Sequence, residues 1–261
     1  MKFAYKLNLI FVLIILNLSN ISNAQPIGEF PASTTELTFN AAGKRMTGFI
    51  YQAEGKGPHP SVLLLHGYPG NEKNLDVAQA LRSNGWNVLF FHYRGAWGSE
   101  GEFSFLNAEQ DVQTVLQYMS DKNNAAKLRI DSNLISIVGH SMGGHMAMAG
   151  IFDNQSVNCA IAYDGANLGV SDVGLIKDPE TTVPWKEYSD TLFMLNGWSG
   201  DRAEKELKEY GKALNLVRRV NSLNGRPVLL VAADSDHSFN ADRTELINTT
   251  LSFLNSNCKG K

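Results

Sequence analysis

The chain has 261 residues, 43% hydrophobic and 19% charged, with 23 Lys+Arg against 26 Asp+Glu. Such a chain can bury one sizeable core, which points to one domain rather than two. A formal net charge of -3 and the lack of a long basic run argue against a nucleic-acid partner.

Residues 1–24 have the pattern of a cleavable export signal. Lys2 and Lys6 supply a positive start, Leu7 to Leu18 an apolar run, and Ser22-Asn23-Ala24 small residues before a cut at Gln25. The run is short for a membrane span, which needs about 20 residues. The expectation is an exported (periplasmic or secreted) domain over 25–261 with no stable membrane span after cleavage; an uncleaved anchor is the alternative. Glu36 to Ala53 alternates apolar and polar residues around Ala42-Gly43, which predicts a hairpin. Beyond it, strand-like and helix-like segments alternate. "SVLLLHG", "WNVLFFHYRG", "LISIVG", "NCAIAYDG" and "RPVLLVAAD" read as strands covered on both faces. "NLDVAQALRSNG", "AEQDVQTVLQYMSDK", "MGGHMAMAGIF" and "DRTELINTTLSFLN" read as helices, the last with Asp242 and Glu245 spaced as a capping box. This rhythm predicts an α/β fold with a mostly parallel sheet flanked by helices.

Residues 165–222 break the rhythm. They carry Trp185, Tyr188, Phe193, Trp198 and Tyr210 and at least one helix, around Ala203 to Val217. Two readings stand: a helical insertion over the site, acting as lid or substrate wall, or a connecting helix pair packed on the sheet. The aromatics hint at an apolar or aromatic acyl group. Cys159, in a strand, reads as a buried thiol and Cys258 as part of a polar tail; two cysteines alone do not make a disulfide framework. His66, His140 and His145 lack a metal-ligand pattern, and no metal or organic cofactor is expected.

Gly139-His140-Ser141-Met142-Gly143 is a G-x-S-x-G between a strand and a helix. That turn is tight, so its neighbours must lack bulk, and it projects the serine hydroxyl beside a helix N-terminus. A passive serine in a Gly-rich turn is the bland alternative. "LLLHGYPGN" follows the first buried strand and lets the Tyr68 N–H join that of Met142 as a pair of oxyanion donors. His66 reads as a residue that holds this loop. His92 reads as packed at its strand end and Arg94 as structural, with a substrate carboxylate as the alternative role for Arg94. His237 is the best base for Ser141, because "DHSFNADR" leads straight into the last helix. His145, four residues after the serine, reads as packing or exposed.

"HGYPGN", "FHYRGAWGSEG" and "GHSMGG", in this order and spacing, resemble the α/β-hydrolase superfamily, in its serine-hydrolase branch of esterases, serine aminopeptidase-like and prolyl-oligopeptidase-like enzymes. The likeness covers nearly all of residues 25–261. It implies acyl transfer on a carboxylic ester or peptide/amide bond, with Ser141 as nucleophile and His237 as base. In that family the acid precedes the histidine by a further helix and strand, which this chain lacks, so a shortened C-terminal region is expected. Asp234 matches the acid-bearing loop best; Asp164, at the end of "AIAYD", and Asp236 are the other candidates. The alternative is a fold relative that has lost part of its triad and binds a ligand without turnover. Enzymes of this fold that attack haloalkanes or epoxides use an aspartate where Ser141 stands.

Overall fold

The computed structural model describes residues 28–170 and 176–259. The predicted export signal therefore lies outside the described residues. Among those residues, seven strands form one sheet in the order β1-β2-β4-β3-β5-β6-β7. β1 (Ser33–Ala41) and β2 (Lys44–Gln52) are the predicted hairpin, closed by Ala42 and Gly43 at φ 50° and 76°. Two positive φ values in succession are what a tight hairpin turn needs to match strand twist. β2 runs antiparallel to β4 (Asn87–Phe91); β3 (His59–Leu65), β5 (Ile130–His140), β6 (Val157–Tyr163) and β7 (Val228–Val231) are parallel to their neighbours.

Each central strand is buried on both faces, as its unbroken apolar run requires. Val62 and Leu64 of β3 face one core with α1 (Leu75–Ser83) and α7 (Arg243–Asn257). Leu63 and Leu65 face the other, with α2 (Phe105–Ser120) and α4 (Met142–Asp153). The alternation follows from the two-residue period of a strand. The parallel strands end together, so the loops after β3, β5, β6 and β7 gather along one edge.

Three local expectations are corrected and one element is added. A short helix, α3 (Lys122–Leu128), follows α2; the side chain of Asp121 accepts from the N–H groups of Asn123 and Asn124 and starts it. The helix expected over 203–217 is α6 (Gly200–Tyr210), which ends at Gly211; Asn215 then begins a 3-10 segment, Leu216–Leu223. Asp242 precedes α7 but its side chain caps nothing, so no capping box forms. Cys159 and Cys258 are not a lone thiol and a tail residue but a disulfide with Cα atoms 5.6 Å apart. The final helix folds back across β6, which brings two cysteines 99 positions apart into bonding range.

β7 has only four residues, and Leu230 on it is exposed. Among the described residues no strand follows it, so the expected C-terminal shortening leaves β7 as the sheet edge. Residues 165–222 form, between β6 and β7, a 3-10 turn (Leu168–Val170), α5 (Pro179–Asp190), α6 and the 3-10 segment.

Candidate active site

Ser141 sits between β5 and α4 at φ 58°, ψ -119°. This backbone is strained for a residue with a Cβ and persists only where the surroundings enforce it. The enforcement is visible. A Cβ on Gly139 would lie 1.9 Å from the Gly143 carbonyl oxygen, and one on Gly143 would lie 2.3 Å from the Leu65 carbonyl oxygen. The Ser141 N–H donates to Tyr163 O (2.9 Å), and Ser141 O accepts from Gly144 and His145. The N–H of Met142, at the start of α4, thus precedes the first intrahelical bonds and stays available to a ligand.

The loop after β3 closes on the same point. A Cβ on Gly67 would meet Ser141 Cβ at 2.9 Å and Oγ at 3.5 Å, so the backbone leading to Tyr68 runs against the serine. As expected, His66 holds this loop: its buried Nδ1–H donates to Gly67 O (2.9 Å), leaving Nε2 facing His92 Nδ1 at 3.3 Å. Trp97 Nε1 donates to Pro69 O (2.7 Å). The Tyr68 hydroxyl accepts from Trp198 Nε1 (2.7 Å) and donates to Ser189 Oγ (2.8 Å), which donates to Trp185 O. Burial pushes this phenol up to about 12. The 165–222 segment is therefore clamped to the loop after β3. Trp198 is buried with Phe103 and Phe105 and belongs to the core, whereas Tyr188, 45% exposed, stays open and edge-on to Tyr68.

Burial lowers the His66 imidazole to about 4 and that of His92 to about 3. In the unfolded chain such rings protonate near their ordinary value, about 6.5. Between those values the unfolded state holds more protons, so stability must fall as pH falls. His66 alone accounts for about 3 kcal/mol at about 1.4 kcal/mol per pKa unit. Urea unfolding at pH 7 and pH 4 is expected to show a loss of at least that size; equal midpoints would mean the rings are protonated in the fold.

His237, in the loop between β7 and α7, donates from Nδ1 to Asp164 Oδ2 at 2.7 Å. The structure does not bring Asp234, the expected partner, to the ring: it is exposed and makes no hydrogen bond to His237 among the described residues. β6 and β7 are parallel neighbours, and Asp164 N–H donates to Val231 O (2.7 Å), so Asp164 starts where the histidine loop starts. Asp234 lies three residues before His237 on that same outward loop. Asp236 is engaged elsewhere, accepting from the N–H groups of Ser238 and Asn240, both 3.0 Å, and is held below the usual carboxylate range by those bonds. Asp164 and Phe239 share positive φ, 45° and 57°, with Ser141. Such strain gathers at functional sites. Ser141 Oγ and His237 are not hydrogen-bonded in this structure, a contact that in free enzymes often tightens only on substrate. The His237 ring lies 4.7 Å from that of His140, the residue before the serine.

Of the remaining candidates, Arg94 is structural: Nε meets Asp111 Oδ1 at 2.5 Å within the core. His145 is buried, with Nε2 on Glu109 (2.9 Å) and Nδ1 accepting from Leu168 N–H (3.2 Å).

A serine at a strained strand tip, free helix N–H groups and an imidazole oriented by a carboxylate are the parts that nucleophilic acyl transfer needs. The family model described as BD-FAE matches residues 49–251. The chain belongs to the BD-FAE family. That family is of α/β-hydrolase type, and the sheet order agrees. Solved structures share the fold: DcsB in complex with a substrate analogue (TM-score 0.62, 15% identity, 87% of this chain and 100% of that one) and Est1E of Butyrivibrio proteoclasticus with ferulic acid bound (0.58, 13%, 85% and 98%). Among curated proteins, an uncharacterised protein of Mycobacterium tuberculosis is 27% identical over 119 residues. That match spans 45% of this chain and 41% of the relative. The family match and the shared fold place the chain among α/β-hydrolase-type proteins.

Proposed function

We propose that the protein is an exported serine hydrolase that cleaves carboxylic esters through an acyl-enzyme on Ser141. The His237–Asp164 pair beside the strained serine carries this reading. Ser141 Oγ attacks the carbonyl carbon while His237 takes its proton. The carbonyl oxygen becomes an anion that accepts from the N–H groups of Tyr68 and Met142. The tetrahedral centre collapses, His237 returns the proton to the leaving alkoxide, and the ester C–O bond breaks. Water then attacks the acyl group by the same route. Asp164 keeps the His237 proton on Nδ1, so that Nε2 is free to act as base. The chemistry needs no metal or organic cofactor, and amide bonds are open to the same machinery. A carboxylesterase, EstE1, among the structures of like fold supports esters, and the open Tyr188 beside the Tyr68 loop supports an apolar acyl group. Export is supported by the predicted signal over 1–24 and by the Cys159–Cys258 disulfide, a bond that persists in oxidising compartments.

A second reading, a ligand-binding protein without turnover, is favoured by the absent Ser141–His237 hydrogen bond. A fluorophosphonate probe separates the two. The folded wild type is expected to label stoichiometrically, and Ser141→Ala and His237→Ala to abolish labelling. An unlabelled wild type would establish the binding reading, and a fully reactive His237→Ala would place the base elsewhere.

A further inference from the structure

His237 has to be held in register with Ser141, yet its surroundings supply little packing. Its side chain is 57% exposed, and residues 234–237 are all exposed. In this shortened fold a four-residue edge strand and a short loop deliver the base. One residue bridges base and nucleophile directly. His140 is the chain neighbour of Ser141 and is 4% exposed. Its Nε2 lies 2.6 Å from the backbone carbonyl oxygen of His237. A carbonyl only accepts, so Nε2 carries the proton and donates it. The His140 ring also packs against the His237 ring, and Phe239, buried two residues on, contacts both His140 and Tyr163.

We infer that His140 is the positioning residue for the catalytic base: its Nε2–H holds the His237 backbone at a fixed offset from Ser141. This inference rests on the serine-hydrolase reading for its catalytic consequence, but not for the contact itself. The geometry explains the role. His140 is the last residue of β5, a buried central strand, so its backbone is fixed beside the strained serine and its buried ring has little room to turn. One hydrogen bond long, the link transmits the position of the nucleophile to the base. Asp164 orients the His237 ring from its other side, and Arg243 Nη1 holds the next carbonyl, Ser238 O, at 3.0 Å. Three points therefore fix the exposed stretch 234–237 beside the packed Phe239. The charged and titratable groups around His140 are His237, Asp164 and Glu72. Burial, ahead of their influence, lowers its pKa and keeps it a neutral donor. Protonation at Nδ1 would bury an N–H that has no partner among the described residues.

The test compares H140L, which keeps bulk without a donor, with H140Q, whose amide N–H can reach the same carbonyl. Two readouts are taken: kcat and KM on p-nitrophenyl acetate, and amide hydrogen exchange of residues 236–240. H140L is expected to lower kcat about 100-fold, the usual consequence of an ångström-scale misplacement, with KM nearly unchanged. Exchange across 236–240 should accelerate. H140Q should recover most of both. Equal losses in H140L and H140Q would reduce His140 to packing and overturn the inference, as would a change confined to KM. If H140L does not fold, H140M takes its place against H140Q. A wild type that neither turns over nor labels would remove the serine-hydrolase reading alone. The exchange comparison would still decide whether His140 holds the loop.

Discussion

Asp164→Asn is expected to lower kcat on ester substrates about 10⁴-fold, while Asp234→Asn stays within a few-fold of wild type. The first magnitude is the usual effect of replacing the triad carboxylate by its amide. The carboxylate of Asp164 accepts the His237 Nδ1 proton, which leaves the Nε2 lone pair for Ser141. An amide in its place offers an N–H toward Nδ1, and the ring turns to the tautomer that cannot act as base. The substitution leaves the backbone undisturbed, because Asp164 has φ 45° and asparagine tolerates that region as well as aspartate does. Loss of activity then reports chemistry rather than folding. Asp234 is exposed and separate from the ring, so its amide changes little. Steady-state kinetics of both variants decide the matter. A large loss in Asp234→Asn with a small one in Asp164→Asn would return the acid to the loop that the chain order favours.

What could be read from the sequence was local, and what could not was set by chain segments meeting from far apart. The elbow was legible because its pattern lies within five residues, even though part of what enforces it comes from β3. Gly139 and Gly143 are excluded from bearing a side chain by backbone atoms of the same turn and of the adjoining β3. The hairpin at Ala42-Gly43 was legible for the same reason. Asp164 was legible only as an alternative acid, since its partner lies 73 positions away and the pairing follows from β6 and β7 being parallel neighbours. Sequence proximity favoured Asp234, three residues from His237, whereas proximity in a parallel sheet is between strand ends. The capping box shows the converse. The Asp242/Glu245 spacing was right, but the turn in which Asp242 N–H donates to Phe239 O sets Asp242 at φ -117°, ψ 18° and leaves its side chain off the helix end. The role of His140 was hidden in a motif position that accepts many residues. Only the carbonyl of His237, 97 positions on, gives it a purpose.

Removing the Cys159–Cys258 cross-link is expected to lower the unfolding free energy by about 4 kcal/mol. The entropic account of disulfides gives about 4.7 kcal/mol for a loop of roughly 100 residues, and measured losses often fall somewhat below it. The fold has particular need of it. The final helix buries Leu246, Thr250 and Leu254, a narrow stripe for fifteen residues. It lies on a sheet whose last strand has four residues. The disulfide fixes the end of that helix to β6, the strand that leads to Asp164, while the start of the helix follows the His237 loop directly. Both cysteines are buried, so Cys159→Ala with Cys258→Ala keeps the site apolar and isolates the loss of the cross-link. For a domain of this size about 4 kcal/mol corresponds to a fall in Tm on the order of 10 °C. Calorimetry of the double variant, beside wild type with and without reductant, measures it. Two free thiols in the wild type unfolded without reductant would mean that the bond is not formed. A reduced protein with free thiols and an unchanged Tm would mean instead that packing alone holds the final helix.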